Sequence, residues 1–91
     1  MLVELSIIPV KGSLRLREQI AEMLCIVDRS ELPYQLTPGG TQIEGTWDGV
    51  MALVRECHEQ MCKHSPHVFT TIKIEDEVGV ENKLLYKEVS L

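Results

Sequence analysis

Positive charge is scarce in this chain: its 91 residues carry 9 lysines and arginines against 14 aspartates and glutamates, a formal net charge of −5. The basic residues are scattered, so the electrostatic footprint of a nucleic-acid binder is missing, and a cationic or neutral partner suits the chain better. Long hydrophobic runs are also lacking. No segment approaches the roughly 20 apolar residues needed to cross a bilayer, and the start Met1-Leu2-Val3-Glu4-Leu5-Ser6 has no basic n-region of a signal peptide. Cysteine is sparse and odd in number, at Cys25, Cys57 and Cys62. With no paired C-x-x-C motif, a secreted disulfide framework is not expected, and reduced thiols in the cytoplasm are the simpler account.

What is present is enough for a single domain over residues 1–91, burying roughly 60–65% of its unfolded surface around one modest core. The most informative stretch runs from Tyr34 to Gly45. It reads as a β-hairpin turning at Pro38-Gly39-Gly40, where Pro fixes φ and Gly tolerates positive φ. Tyr34, Leu36 and Ile43 share one face, and Gln35, Thr37, Gln42 and Glu44 share the other, because strand side chains alternate.

Around the hairpin the pattern is regular. Val3, Leu5 and Ile7 alternate with Glu4 and Ser6, giving a first strand of about seven residues that turns at Pro9-Val10-Lys11-Gly12. Ser13 stands where an N-cap belongs, and Leu16, Ile20, Met23, Leu24 and Val27 recur at helical spacing as far as Asp28-Arg29-Ser30. Thr46 or Asp48 caps a second helix with Val50, Leu53, Val54, Cys57 and Met61 on its apolar stripe, stopped by Ser65-Pro66. Val68, Thr70, Ile72 and Ile74 then alternate with Phe69, Thr71, Lys73 and Glu75 as a last strand. Leu84, Leu85 and Val89, between Glu81 and Leu91, suggest a short C-terminal helix.

The order β-α-β-β-α-β is the ferredoxin-like, or split βαβ, α+β motif: an antiparallel sheet of strand order 4-1-3-2 with both helices on one face. Val3, Leu5, Ile7, Leu36, Ile43, Ile72 and Ile74 are expected under the helices. The open face keeps Glu4, Ser6, Ile8, Gln35, Thr37, Gln42, Glu44, Phe69, Thr71 and Lys73. Since the first strand lies between the third and fourth, Ser6, Glu44 and Thr71 are expected to meet there, a carboxylate flanked by hydroxyls that accepts from an amino or ring N–H and attracts a cation. The same residues also fit an ordinary solvated face. With Ile8 and Phe69 added, they fit a subunit interface of mixed polarity.

Val3-Glu4-Leu5-Ser6-Ile7-Ile8-Pro9, Pro33 to Thr41 with Ile43-Glu44-Gly45, and Val68 to Ile74 together resemble the small YkoF-like thiamine-binding family, in the right order and over about nine tenths of the chain. The resemblance implies a ferredoxin-like protomer, homodimers that assemble into tetramers, and non-catalytic binding of thiamine or its hydroxymethylpyrimidine precursor with no cofactor. Carried over by position, Ser6, Thr37, Glu44 and Thr71 are the ligand-binding residues, Glu44 facing the aminopyrimidine or the thiazolium charge. Gly39 departs from the family, where a larger residue often stands, and the tail after Asp76-Glu77 does not match. The reading from a different class is an assembly module whose open face serves subunit contact alone.

Other residues invite sharper chemistry. Cys57, His58, Cys62, His64 and His67 cluster in sequence, but Cys57 and Cys62 are five apart and do not share a helix face, so no metal site is expected. Cys57 and His58 are neighbours pointing about 100° apart, which makes a poor nucleophile–base pair. Glu4 and Glu44 as an acid–base carboxylate pair lack a signature. Trp47 is expected to pack the start of the second helix against the sheet end, and Tyr34 to sit at the core edge with its hydroxyl reaching out. Lys11-Gly12-Ser13 could hold an anion at the first helix N-terminus, but an ordinary turn and cap explain it better.

Overall fold

A computed structural model describes residues 1–11, 15–80 and 84. In chain order the elements are β1 (Leu2–Lys11), α1 (Leu16–Arg29), β2 (Tyr34–Thr37), β3 (Gly40–Glu44), α2 (Trp47–His64) and β4 (His67–Glu75). The strands form one antiparallel sheet of order β2-β3-β1-β4, the ferredoxin-like α+β arrangement expected from the sequence.

The secure part of the core follows the sequence pattern. On α2, Val50, Leu53, Val54, Cys57 and Met61 are all buried, the i, i+3, i+4, i+7 stripe turned onto the sheet. Thr46 caps this helix, its hydroxyl accepting the Gly49 N–H at 3.2 Å. At the other end Ser65, forced out of helical geometry by Pro66, is extended at φ −138° and ψ 133°. Val3, Leu5 and Ile43 meet this stripe from the sheet, with Ile26 and Val27 from α1.

Three features differ from the sequence pattern. On α1 the buried positions are Gln19, Ile26 and Val27, while Leu16 and Ile20 are exposed, so the inward stripe is rotated from the expected one. Leu36, Ile72 and Ile74 were expected under the helices and are exposed. They lie on β2 and β4, the two edges of the sheet, whereas the buried helix residues meet the sheet at Val3, Leu5 and Ile43 on the central strands. β1 also runs past Pro9 to Lys11. Proline is tolerated there because the β1–β3 pairing has ended by Leu5 and the register with β4 shifts between Pro9 and Lys11.

The hairpin needs glycine at one position above all. Gly40 has φ +145°, and a Cβ there would fall 2.4 Å from the Leu5 carbonyl oxygen. Of the C-terminal helix expected over 81–91, Leu84 alone is among the described residues, and it is buried. The Ser13 cap and the Gly12-Ser13 part of the anion-binding turn lie outside them. Among the described residues no helix is long and apolar enough to cross a membrane.

Candidate functional site

The sheet face turned away from the helices is organised in rows across the strands, because residues in register lie about 5 Å apart on one side of the sheet. One row reads Gln35, Gln42, Glu4 and Lys73, from β2 to β4. The next begins with Thr37 opposite Gly40, and ends with Ser6 opposite Thr71. Gly40 joins these halves, since a Cβ on it would sit 3.5 Å from Ser6 Cβ. Beyond lies an apolar pair, Ile8 opposite Phe69, which are 58% and 60% exposed.

Ser6, Thr37 and Thr71 are therefore brought into one row, and Glu44 is not. Glu44 pairs with Leu2, four residues along β1 from Ser6, a separation of about 13 Å at the rise of a strand. The expectation that Ser6, Glu44 and Thr71 meet fails on this register. At its own end of the sheet Glu44 Oε1 accepts the backbone N–H of Leu84 at 3.4 Å.

The carboxylate beside the hydroxyl row belongs to Glu4, which sequence reasoning placed on this face without giving it the role. Glu4 is two residues from Ser6 on the same face, and its side chain lies against the hairpin turn: a Cβ at Gly39 would come 3.3 Å from Glu4 Oε1. The absence of a side chain at Gly39 thus leaves the space that this carboxylate fills. No feature of either strand alone signals this, since it depends on how β1 is paired.

Hydrogen-bonding capacity on the face is uneven. The Thr37 hydroxyl donates to Gly40 O at 2.9 Å, so its oxygen offers lone pairs rather than a proton. Gln35 Oε1 is buried and has no hydrogen-bond partner among the described residues, an acceptor left waiting for a donor. Leu2, Glu4, Gln42, Lys73 and Glu75 line a depression of about 60 Å³. Small-molecule sites usually enclose roughly 300–1,000 Å³, so among the described residues this depression is a wall, not an enclosure.

Elsewhere, Cys57 is fully buried, and burial, with the Glu56 charge adding, pushes its thiol up to about 11. A thiol so placed is inert at neutral pH. Among the described residues no three metal-ligating side chains converge. Trp47, expected to pack at the start of α2, is 55% exposed. The Tyr34 hydroxyl donates to Asp28 Oδ1 at 3.3 Å, and the Asp28 charge raises its pKa.

The comparisons with known proteins agree with this architecture. The family model for "Thiamine-binding protein" matches residues 3–90. A UPF0045 protein of Mycobacterium bovis is 33% identical over 87 residues, covering 94% of this chain and 85% of that protein. Among solved structures, a hypothetical protein of Methanocaldococcus jannaschii superposes with a TM-score of 0.84 at 21% identity, over 98% of this chain and 92% of that one. A putative thiamine biosynthesis/salvage protein of Thermotoga maritima does so with a TM-score of 0.78 at 18% identity, over 97% and 96%. At those identities the solved structures establish the shared fold. The family model, spanning almost the whole chain, places this chain in the thiamine-binding protein family.

Proposed function

We propose that the chain binds thiamine or a hydroxymethylpyrimidine-type relative, without catalysis, between its open sheet face and that of a second copy. The observation that carries this is the Ser6, Thr37 and Thr71 row with the Glu4 carboxylate at its side. An aminopyrimidine offers an exocyclic N–H donor and ring nitrogen acceptors, and thiamine adds a thiazolium cation. Glu4 accepts from the amino group, the Ser6 and Thr71 hydroxyls donate to a ring nitrogen, and Glu4 attracts the cation. Glu44, about 13 Å from Ser6 along the strand, anchors the far end of the face.

The second copy follows from the small depression and from the exposed Ile8–Phe69 pair. A wall with an apolar rim is completed by another wall, and a symmetric dimer or tetramer supplies it. Free Cys25 and Cys62 at the surface fit a reducing, cytoplasmic setting. The same apolar pair also favours a second reading, in which the face is an assembly surface and takes no ligand.

Isothermal titration with thiamine and, separately, hydroxymethylpyrimidine, with the mass in solution measured in the same buffer, tests the proposal. Saturable binding by an oligomer, micromolar or tighter, supports it, and the difference between the two ligands tells which ring is read. An intact oligomer that gives no heat with either supports the assembly reading instead.

A further inference from the structure

On the opposite side of the sheet, where α2 crosses β4, a nucleophile, a base and a group that orients the base are in line. His58 Nε2 lies 3.5 Å from Cys62 Sγ, and His58 Nδ1 lies 2.6 Å from Thr70 Oγ1. The first distance is within reach of a hydrogen bond to sulfur. The Thr70 contact holds the ring with Nε2 turned to the thiol, and in the tautomer in which Nδ1–H donates to Thr70 Oγ1, Nε2 is the free acceptor. Cys62 is exposed, while His58 and Thr70 are half-buried, so the sulfur is reachable and the base is shielded. The spacing that permits this is i, i+4 on α2, one turn of helix. The neighbouring pair Cys57 and His58 lacks it.

A groove leads to this trio. Met51, Val54, Arg55, His58, Thr70 and Ile72 line a largely apolar trough of about 340 Å³ between α2 and β4, with His58 and Thr70 shared between groove and trio. Position 62 continues the 51, 54, 55, 58 stripe by one turn, which sets the thiol at the end of the trough. The volume is within the range of small-molecule sites.

We propose that Cys62 is a reactive thiol whose general base is His58 and whose co-reactant is a low-molecular-weight organic disulfide lodged in the α2–β4 groove. Cys62 Sγ–H gives its proton to His58 Nε2, and the thiolate attacks one sulfur of the disulfide. A new S–S bond forms to Cys62 as the old one breaks, and the departing thiolate takes the proton back from His58. Cys62 is oxidised to a mixed disulfide, and the co-reactant's other half is reduced to a free thiol. Thr70 is a positioning residue, acting through the imidazole. This site is separate from the open face and does not depend on what that face binds.

The chain carries its own controls. The folded protein is treated with oxidised glutathione for graded times, quenched with acid, and the label at each cysteine is measured by peptide mass spectrometry. Cys62 is expected to be thiolated at least tenfold faster than Cys25, which is exposed on α1, and buried Cys57 to stay unmodified. His58→Gln brings Cys62 down to the rate of Cys25 and leaves Cys25 unchanged. Thr70→Ser keeps the wild-type rate, whereas Thr70→Val lowers it several-fold. Equal rates at Cys62 and Cys25 in the wild-type protein overturn the proposal without any variant. So does a folded His58→Gln protein whose Cys62 reacts as fast as before.

Discussion

The Glu4 carboxylate occupies the space beside Gly39 at the hairpin turn: a Cβ at Gly39 would lie 3.3 Å from Glu4 Oε1. The absence of a side chain in the turn is thus what lets a carboxylate from β1 lie beside Ser6 and the threonines. Gly39 has no positive φ, so a larger residue is allowed by the backbone and opposed mainly by the end of a flexible side chain. Gly39→Ala should therefore cost well under about 1 kcal/mol of stability while shifting the carboxylate. A tenfold or greater loss of thiamine affinity in calorimetry, with an unchanged denaturation midpoint, is the expected pair of results.

Gly40 behaves oppositely, although it is the next residue. Its φ of +145° and the Leu5 oxygen 2.4 Å from a Cβ leave no room that a side-chain rotation can open. Gly40→Ala should destabilise the fold by about 2 kcal/mol or more. Urea denaturation followed by circular dichroism measures it, and a loss under half of that would mean that the hairpin relaxes freely.

Leu53 is 4% exposed on the best-packed helix. Leu53→Ala leaves a cavity between α2 and the sheet and should cost about 2–5 kcal/mol, read as a lower denaturant midpoint with little change in slope.

Cys57 gives a pH dependence with a definite sign. Its folded-state pKa is raised from 9.0 to about 11 by burial and then by Glu56. The unfolded chain therefore loses this proton first as pH rises, so the stability present below pH 9.0 falls between there and about 11. The loss should be about 2–3 kcal/mol. The comparison that isolates the thiol is with Cys57→Val, which should flatten the wild-type decline by that amount. Parallel curves for the two proteins would refute the assignment.

How far the sequence reveals the molecule differs from element to element. All five residues of the α2 stripe could be read in advance because a helix face is a local property, fixed by a period of 3.6 residues. Strand order followed from the β-α-β-β-α-β alternation and short connections. Leu36, Ile72 and Ile74 misled because alternation tells which side of a sheet a residue takes, not how completely the helices cover it. Gln19 is buried where Leu16 and Ile20 stay outside, a choice made by the angle at which α1 packs.

The carboxylate beside the hydroxyls was misassigned for a related reason. Sliding β3 along β1 by any even number of residues leaves every side chain on its own face, and a slide of four would set Glu44 opposite Ser6, so Glu44 and Glu4 satisfy the alternation equally. Only the observed pairing of Leu2 with Glu44 and Glu4 with Gln42 separates them. The Cys62–His58 pair was missed although its i, i+4 spacing was there to be read, because Cys57, the direct neighbour of His58, was weighed as its partner instead.

Titration of thiamine into Glu4→Gln and Glu44→Gln side by side, each with its mass in solution measured, tests the central claim most directly. Removing a charge-assisted partner is worth about 1.5–3 kcal/mol, so Glu4→Gln should lose at least tenfold in affinity with the oligomer intact, and Glu44→Gln should bind within about twofold of wild type. Unchanged binding by Glu4→Gln, or loss confined to Glu44→Gln, would contradict the account.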